Sequence, residues 1–400
     1  YDGSSRLAEG HKWVLFPSAA LAWRISDEPF MKDLLWLDNL KLRVGYGKTG
    51  NSAVSPYQTK GQLALRHYVF NNGSSEYIGY APSVMANDQL TWETTDQWNV
   101  GVDFGFLKNR INGTVEFYLQ NTKDLLLKRQ LPVVSGFSSV MSNVGSTRNK
   151  GVEITLNTRN IMNRNFTWST DLTFSANKEE IVELYNGKTD DVGNLWFIGQ
   201  PIDVYYNYKK IGIWQNTEND LAEMAKFNEK GANFKPGSIR LEDVDGDYKI
   251  TEEDKQILGS VRPKFVASMV NNFEFKGFDL SVFLYASVGG LLRNNIEFME
   301  KPGRGNTVKV DYWTPTNPTN AFPRPSVDVE KLDYISTLGY DKADFLRIRN
   351  ITLGYTLPEM WSKKVLMDKI RIYLSANNPA IFTNFTGIDP EGANGRTAPS

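Results

Sequence analysis

Asp243, Asp245, Asp247, the main-chain carbonyl of Lys249 and Asp254 fall at positions 1, 3, 5, 7 and 12 of one twelve-residue stretch. Hard oxygens at that spacing are what an EF-hand-type loop wraps around Ca²⁺. Two residues depart from the pattern. Tyr248 stands where glycine normally makes the sharp turn, and Asp254 is shorter than the usual bidentate Glu. An acidic surface turn, with Asp and Gly chosen for backbone geometry, is the competing reading. A calcium ion here would stiffen a loop, and no cofactor is required by anything else in the sequence.

Other chemistries find little support. Gly45-Tyr46-Gly47-Lys48-Thr49 ends in a Walker-like manner, but Leu42 occupies the position where that motif needs its first glycine. No Gly-x-Ser-x-Gly elbow and no His-Glu-x-x-His helix occurs, and His11 and His67 are the only imidazoles. The absence of Cys removes thiol catalysis, Cys-ligated zinc and disulfides. With 45 Lys+Arg against 46 Asp+Glu, the net charge of −1 gives no reason to expect a nucleic-acid partner. The expectation is a protein that is not an enzyme.

The elements that carry these residues read as strands. From Trp98, apolar residues recur at every second position (Trp98, Val100, Val102, Phe104, Phe106) against Asn99, Gly101, Asp103 and Gly105. The pattern resumes after Lys108-Asn109-Arg110 as Ile111, Gly113, Val115, Phe117 and Leu119, and recurs in Val152–Leu156, Phe166–Ala176, Phe265–Phe275 and Phe278–Ala286. Leu15–Ile25, Leu40–Tyr46, Phe345–Tyr355 and Ile370–Ala376 complete about ten strands. Strands of about 9–11 residues are long enough to cross a bilayer when tilted. The mean hydropathy of −0.41 excludes a helical span but not a barrel, whose alternating strands average out as polar.

Connections alternate short and long, with long loops at 49–96, 123–149, 179–262, 291–343 and 383–400. Every second connection therefore lies at the same end of the sheet, as in outer-membrane barrels with short periplasmic turns and long outer loops. Trp13, Trp23, Trp98 and Trp168 are candidates for interfacial aromatic girdles. Within the longest loop, Glu218–Lys230 carries Leu221, Met224, Ala225 and Phe227 at helical spacing and reads as a short amphipathic cap. Trp196, Tyr205, Tyr206, Trp214 and Trp313 also lie in long loops, suited either to stacking on a sugar or to filling the loops' own cores.

Asp243-Val244-Asp245-Gly246-Asp247-Tyr248-Lys249-Ile250, followed by Ile257-Leu258-Gly259-Ser260-Val261-Arg262-Pro263, resembles the SusC/RagA-type TonB-dependent outer-membrane transporters. Phe16-Pro17-Ser18-Ala19-Ala20, Leu42-Arg43-Val44-Gly45-Tyr46-Gly47, Asn143-Val144-Gly145, Tyr312-Trp313-Thr314-Pro315, Phe345-Leu346-Arg347-Ile348-Arg349 and Asp389-Pro390-Glu391 agree with it in order along nearly the whole chain. The resemblance implies an all-β fold: a partial transmembrane antiparallel β-barrel, residues 1–400 being the C-terminal part of a plugged barrel of about 22 strands. The plug domain and signal peptide are expected to lie outside this sequence. The implied function is TonB-dependent uptake of a glycan or peptide across the outer membrane. Its implied partners are a SusD-like surface lipoprotein, TonB with its ExbB–ExbD motor, and outer-membrane lipid. A non-transporting outer-membrane or secreted adhesin or glycan-binding protein is the alternative.

Overall fold

The computed structural model describes residues 1–293, 310–326, 332–387 and 389–391. Its largest element is a ten-stranded sheet. We number its strands β1 (Ser18–Arg24), β2 (Leu37–Asn51), β3 (Glu93–Phe106), β4 (Ile111–Lys123), β5 (Ser146–Met162), β6 (Phe166–Glu183), β7 (Phe265–Phe275), β8 (Phe278–Val288), β9 (Phe345–Thr356) and β10 (Arg371–Thr383). Each pairs with its neighbours in sequence order, so the sheet is an uninterrupted antiparallel meander with β1 and β10 at its edges.

The register explains the alternation. Val100 faces Phe117, which faces Val152, and Val102 faces Val115, which faces Ile154, so apolar side chains line up across strands on one face. On that face Leu21, Phe117 and Leu374 are 73%, 58% and 77% exposed. Among the described residues, none of the buried apolar clusters draws on this face. An apolar face left open to this extent is suited to hydrocarbon instead of water. Aromatic rings crowd the short-turn end: Trp36 lies 5.6 Å from Phe106, Trp168 5.7 Å from Phe273 and Phe278 4.5 Å from Tyr355. The turn between β7 and β8 is two residues long, with Lys276 and Gly277 both at positive φ, the geometry that matches strand twist.

Three strands differ from expectation. The first was expected from Leu15, yet β1 starts at Ser18. Pro17 offers no N–H to the ladder, and Trp13–Val14 instead pair with Asp2–Gly3 in a separate ribbon. Strands β5 and β6 run well past their apolar stretches, with Lys150 paired to Lys178 and Arg148 to Glu180. Trp13 accordingly belongs to no wall strand, and stacks on Tyr1 at 5.5 Å.

By packing, the chain divides into two compact units. One comprises Tyr1–Ile202, Lys264–Ala286 and Leu346–Ile381, and the other Asp203–Pro263, Ser287–Phe345 and Phe382–Ser400. The second unit has apolar cores of its own. Ile213, Ile239, Leu241, Trp313, Ile335 and Leu338 form one, and Trp214, Met224, Phe227 and Phe234 another. Helix α1 (Glu218–Glu229) buries Met224 and Phe227 and is capped by Thr217, whose hydroxyl accepts from the Asp220 amide at 3.3 Å. The loop at 49–96 contains a hairpin, Gln62–Phe70 paired with Ser75–Val84. Parts of the loops at 291–343 and 383–400 lie outside the described residues.

Candidate functional site

The face of the sheet opposite the apolar one carries a continuous polar network. Arg43 on β2 is directly opposite Gly101 on β3, which is opposite Glu116 on β4. A Cβ at position 101 would come within 2.8 Å of the Arg43 guanidinium, so glycine lets the side chain lie flat across the strand. From there Arg43 makes a two-pronged pair with Asp103, Nε to Oδ2 and Nη2 to Oδ1 at 3.0 Å each, and approaches Glu116 at 3.7 Å. Thr114 donates to Asp103 at 3.1 Å and Asn99 donates to Glu116 at 3.3 Å. Gln97 donates to Asn99 at 2.8 Å, and Gln120 to Gln97 at 3.0 Å. Donors and acceptors here satisfy one another across three neighbouring strands. The sequence signal was available: these charges occupy the non-apolar phase of the strands, but alternation does not show which of them pair.

The acidic turn is built in two parts. Asp243, Asp245 and Asp247 each present one carboxylate oxygen, all within 4.8 Å of one another. Tyr248 does what the usual glycine does: it takes φ of +62°, and its ring packs edge-on against Phe227 at 5.4 Å. That packing offsets the roughly 1–2 kcal/mol cost of a left-handed non-glycine residue. Asp254 is apart from the trio. It is 1% exposed, its Oδ1 accepts from the Val244 amide at 2.8 Å and its Oδ2 from the Thr251 amide at 2.7 Å. The side chain thus closes the base of the turn and completes a capping box with Thr251. The Lys249 amide donates to Asp247 at 2.7 Å.

The loop aromatics resolve by burial. Trp214 and Trp313 sit inside the loop cores and are not free to stack on a sugar, whereas Trp196, Tyr205 and Tyr206 are half-buried. Arg240 lies over the Trp214 ring at 4.4 Å and pairs with Asp220 and Glu223, tying α1 to the strand Ile239–Leu241.

A long sequential meander with a lipid-compatible face, a polar opposite face and large loops defines the wall of an outer-membrane β-barrel. The profile of the TonB dependent receptor-like β-barrel family matches residues 1–378, and the chain belongs to that family. It is 34% identical over 407 residues to TonB-dependent receptor P3 of Formosa agariphila, covering 98% of this chain and 39% of the relative. It is 32% identical over 414 residues to TonB-dependent receptor SusC of Bacteroides thetaiotaomicron, covering 99% and 39%. The solved RagAB peptide transporter superposes with a TM-score of 0.78 at 26% identity, over 97% of this chain and 42% of that one. The chain therefore spans about two fifths of the length of the curated relatives it matches. The expected SusC/RagA resemblance and the outer-membrane location both hold.

Proposed function

We propose that this chain supplies wall strands and outer loops to an importer that moves an oligomeric nutrient, a glycan or a peptide, across the outer membrane. A SusD-like surface lipoprotein would deliver the cargo, and TonB with its ExbB–ExbD motor would supply the energy. The observation that carries this reading is the ten-strand wall with one apolar and one self-satisfied polar face, in a chain of the TonB-dependent receptor family. The protein breaks no bond in this scheme; it binds, orients and passes its cargo. The kinship to a solved peptide transporter supports an oligomer over a small solute.

The test uses the intact protein. It is tagged in its native host, extracted in mild detergent and analysed for co-purifying proteins, and uptake of labelled oligomers is compared with and without TonB. A stoichiometric lipoprotein and TonB-dependent uptake support the scheme. A protein that comes out alone, with uptake indifferent to TonB, overturns it.

The acidic turn is part of the same proposal. Its three clustered carboxylates would hold a calcium ion as a stiffener of an outer loop, with Asp254 bracing the turn from below. Calcium titrated into the chelator-treated protein should give saturable heat that Asp245→Asn weakens at least tenfold. No heat, or heat unchanged by the substitution, removes calcium from the scheme.

A further inference from the structure

A groove of about 520 Å³ in the second unit is bordered by six separate stretches of chain, at 209–210, 256–258, 291, 321–322, 337–341 and 386. Its apolar wall comes from Leu291, Phe322 and Leu338. Three charged residues line the same groove: Lys209, whose Nζ is already paired with Glu242 at 3.0 Å, and the opposite charges Lys210 and Asp341. Lys210 opens the strand Lys210–Ile213 and is half-buried; its Nζ donates to the carbonyls of Asn320 and Ala321 at 2.8 and 2.6 Å. An ammonium has three N–H donors, and among the described residues the third meets no acceptor. Burial also pushes this amine below the usual lysine range. Asp341 lies on the strand Tyr340–Lys342, paired by its backbone with Leu292. Thr386 donates its hydroxyl to Asp341 Oδ2. Among the described residues Oδ1 meets no donor.

We infer that this groove binds a whole short peptide, with the peptide's carboxylate on Lys210, its amino group on Asp341 and an apolar side chain against Leu291, Phe322 and Leu338. The chemistry excludes the alternatives one by one. A neutral sugar would leave the charges of Lys210 and Asp341 without counter-charges and set hydroxyls against an apolar wall, which costs free energy for each unpaired group. A purely anionic ligand would meet Asp341, and a purely cationic one would meet Lys210. A zwitterion with an apolar body satisfies all three features together. The inference rests on the importer reading and deepens it by naming the cargo class for this subsite.

The test is calorimetric binding to the full-length transporter, purified with any lipoprotein that accompanies it. The probes are trileucine, trileucine amide, N-acetyl-trileucine and maltoheptaose. Trileucine should bind, and removing either terminal charge should weaken it by about tenfold or more, the usual scale for a charge-assisted hydrogen bond. Lys210→Met should abolish the preference for acid over amide while keeping the preference for free over acetylated amine. Asp341→Asn should do the reverse. Each preference is a ratio measured within one variant, so a partly misfolded preparation does not alter it. Equal binding of acid and amide by the unaltered protein overturns the inference, as does maltoheptaose binding that Lys210→Met weakens. TonB-dependent uptake measured in parallel separates the cases. Energised glycan uptake without peptide binding removes this subsite and leaves the importer standing, whereas loss of TonB dependence removes both.

Discussion

Replacing Asp254 separates a backbone brace from a metal ligand. Its carboxylate accepts two amide hydrogen bonds, from Val244 at 2.8 Å and Thr251 at 2.7 Å, in a site that is 1% exposed. Hydrogen bonds to a charged group contribute about 1.5–3 kcal/mol each, so Asp254→Ala should destabilise the closed turn by about 3 kcal/mol or more. With roughly 1.4 kcal/mol per factor of ten, the Val244 and Thr251 amides should exchange with deuterium at least about a hundredfold faster. Asp254→Asn keeps one acceptor and turns an NH₂ toward the other amide, so one of the two positions should accelerate by about tenfold or more. The assay is fragment-resolved hydrogen exchange on the detergent-solubilised protein, in chelator and in calcium. Exchange of both amides within a few-fold of the parent, in chelator, would refute the brace. If Asp254→Ala then altered exchange in calcium alone, the residue would be a ligand after all.

Three further outcomes follow from the wall and loops. Phe117→Arg places a charge on the lipid face at a cost of about 2–4 kcal/mol near the membrane centre, and should deplete the protein from carbonate-washed outer membranes, whereas Glu116→Gln next to it should not. Equal depletion would mean the faces are assigned wrongly. Arg43→Met leaves Asp103 and Glu116 facing each other without their cation; it should lower the melting temperature, and adding Asp103→Asn should recover part of the loss in a double-mutant cycle. Additive losses would show that the pair is not coupled. Glu242 is held below the usual carboxylate range by Lys209 at 3.0 Å and by the Gln256 amide at 2.7 Å. A depressed folded-state pKa contributes stability above the unfolded value that is lost as pH falls through the folded one, so hydrogen exchange around Leu241–Glu242 should speed up below about pH 4.5. Glu242→Gln should flatten that dependence, and an unchanged profile would sink the assignment.

The wall was legible because strand after strand repeats a two-residue code, in the longest cases over about ten positions. Trp98 to Phe106 shows this directly, and the structure adds only the polar extension back to Glu93. Helix α1 was legible for a similar reason, since Met224 and Phe227 recur at helical spacing and end up buried. Pro17 was the local signal that should have shortened the first strand. The hairpin within 49–96 was missed although Leu63, Leu65, His67 and Val69 alternate with Ala64, Arg66 and Tyr68, because apolar side chains occupy both phases. In the acidic turn the sequence shows five oxygen donors at regular spacing, but only the fold shows that Asp254 turns to the backbone. The groove between Lys210 and Asp341 leaves no trace in sequence, since 131 positions separate its two charges.

The second unit is stitched from distant pieces: Trp313 packs with Ile213 and Ile239, and Phe385 with Leu292 and Ala343. Each of those contacts closes a chain loop that runs through wall strands, so the entropy of closure falls only when those strands have already paired. These two clusters are therefore high in contact order and are expected to form late, unlike the local core of Trp214, Met224, Phe227 and Phe234. Transplanting the loop at 179–262 alone into a relative would carry Ile213 and Ile239 without Trp313. A graft that keeps the core must move the three stretches Asp203–Pro263, Ser287–Phe345 and the one beginning at Phe382 together, so variation in these loops is expected to be inherited as a set.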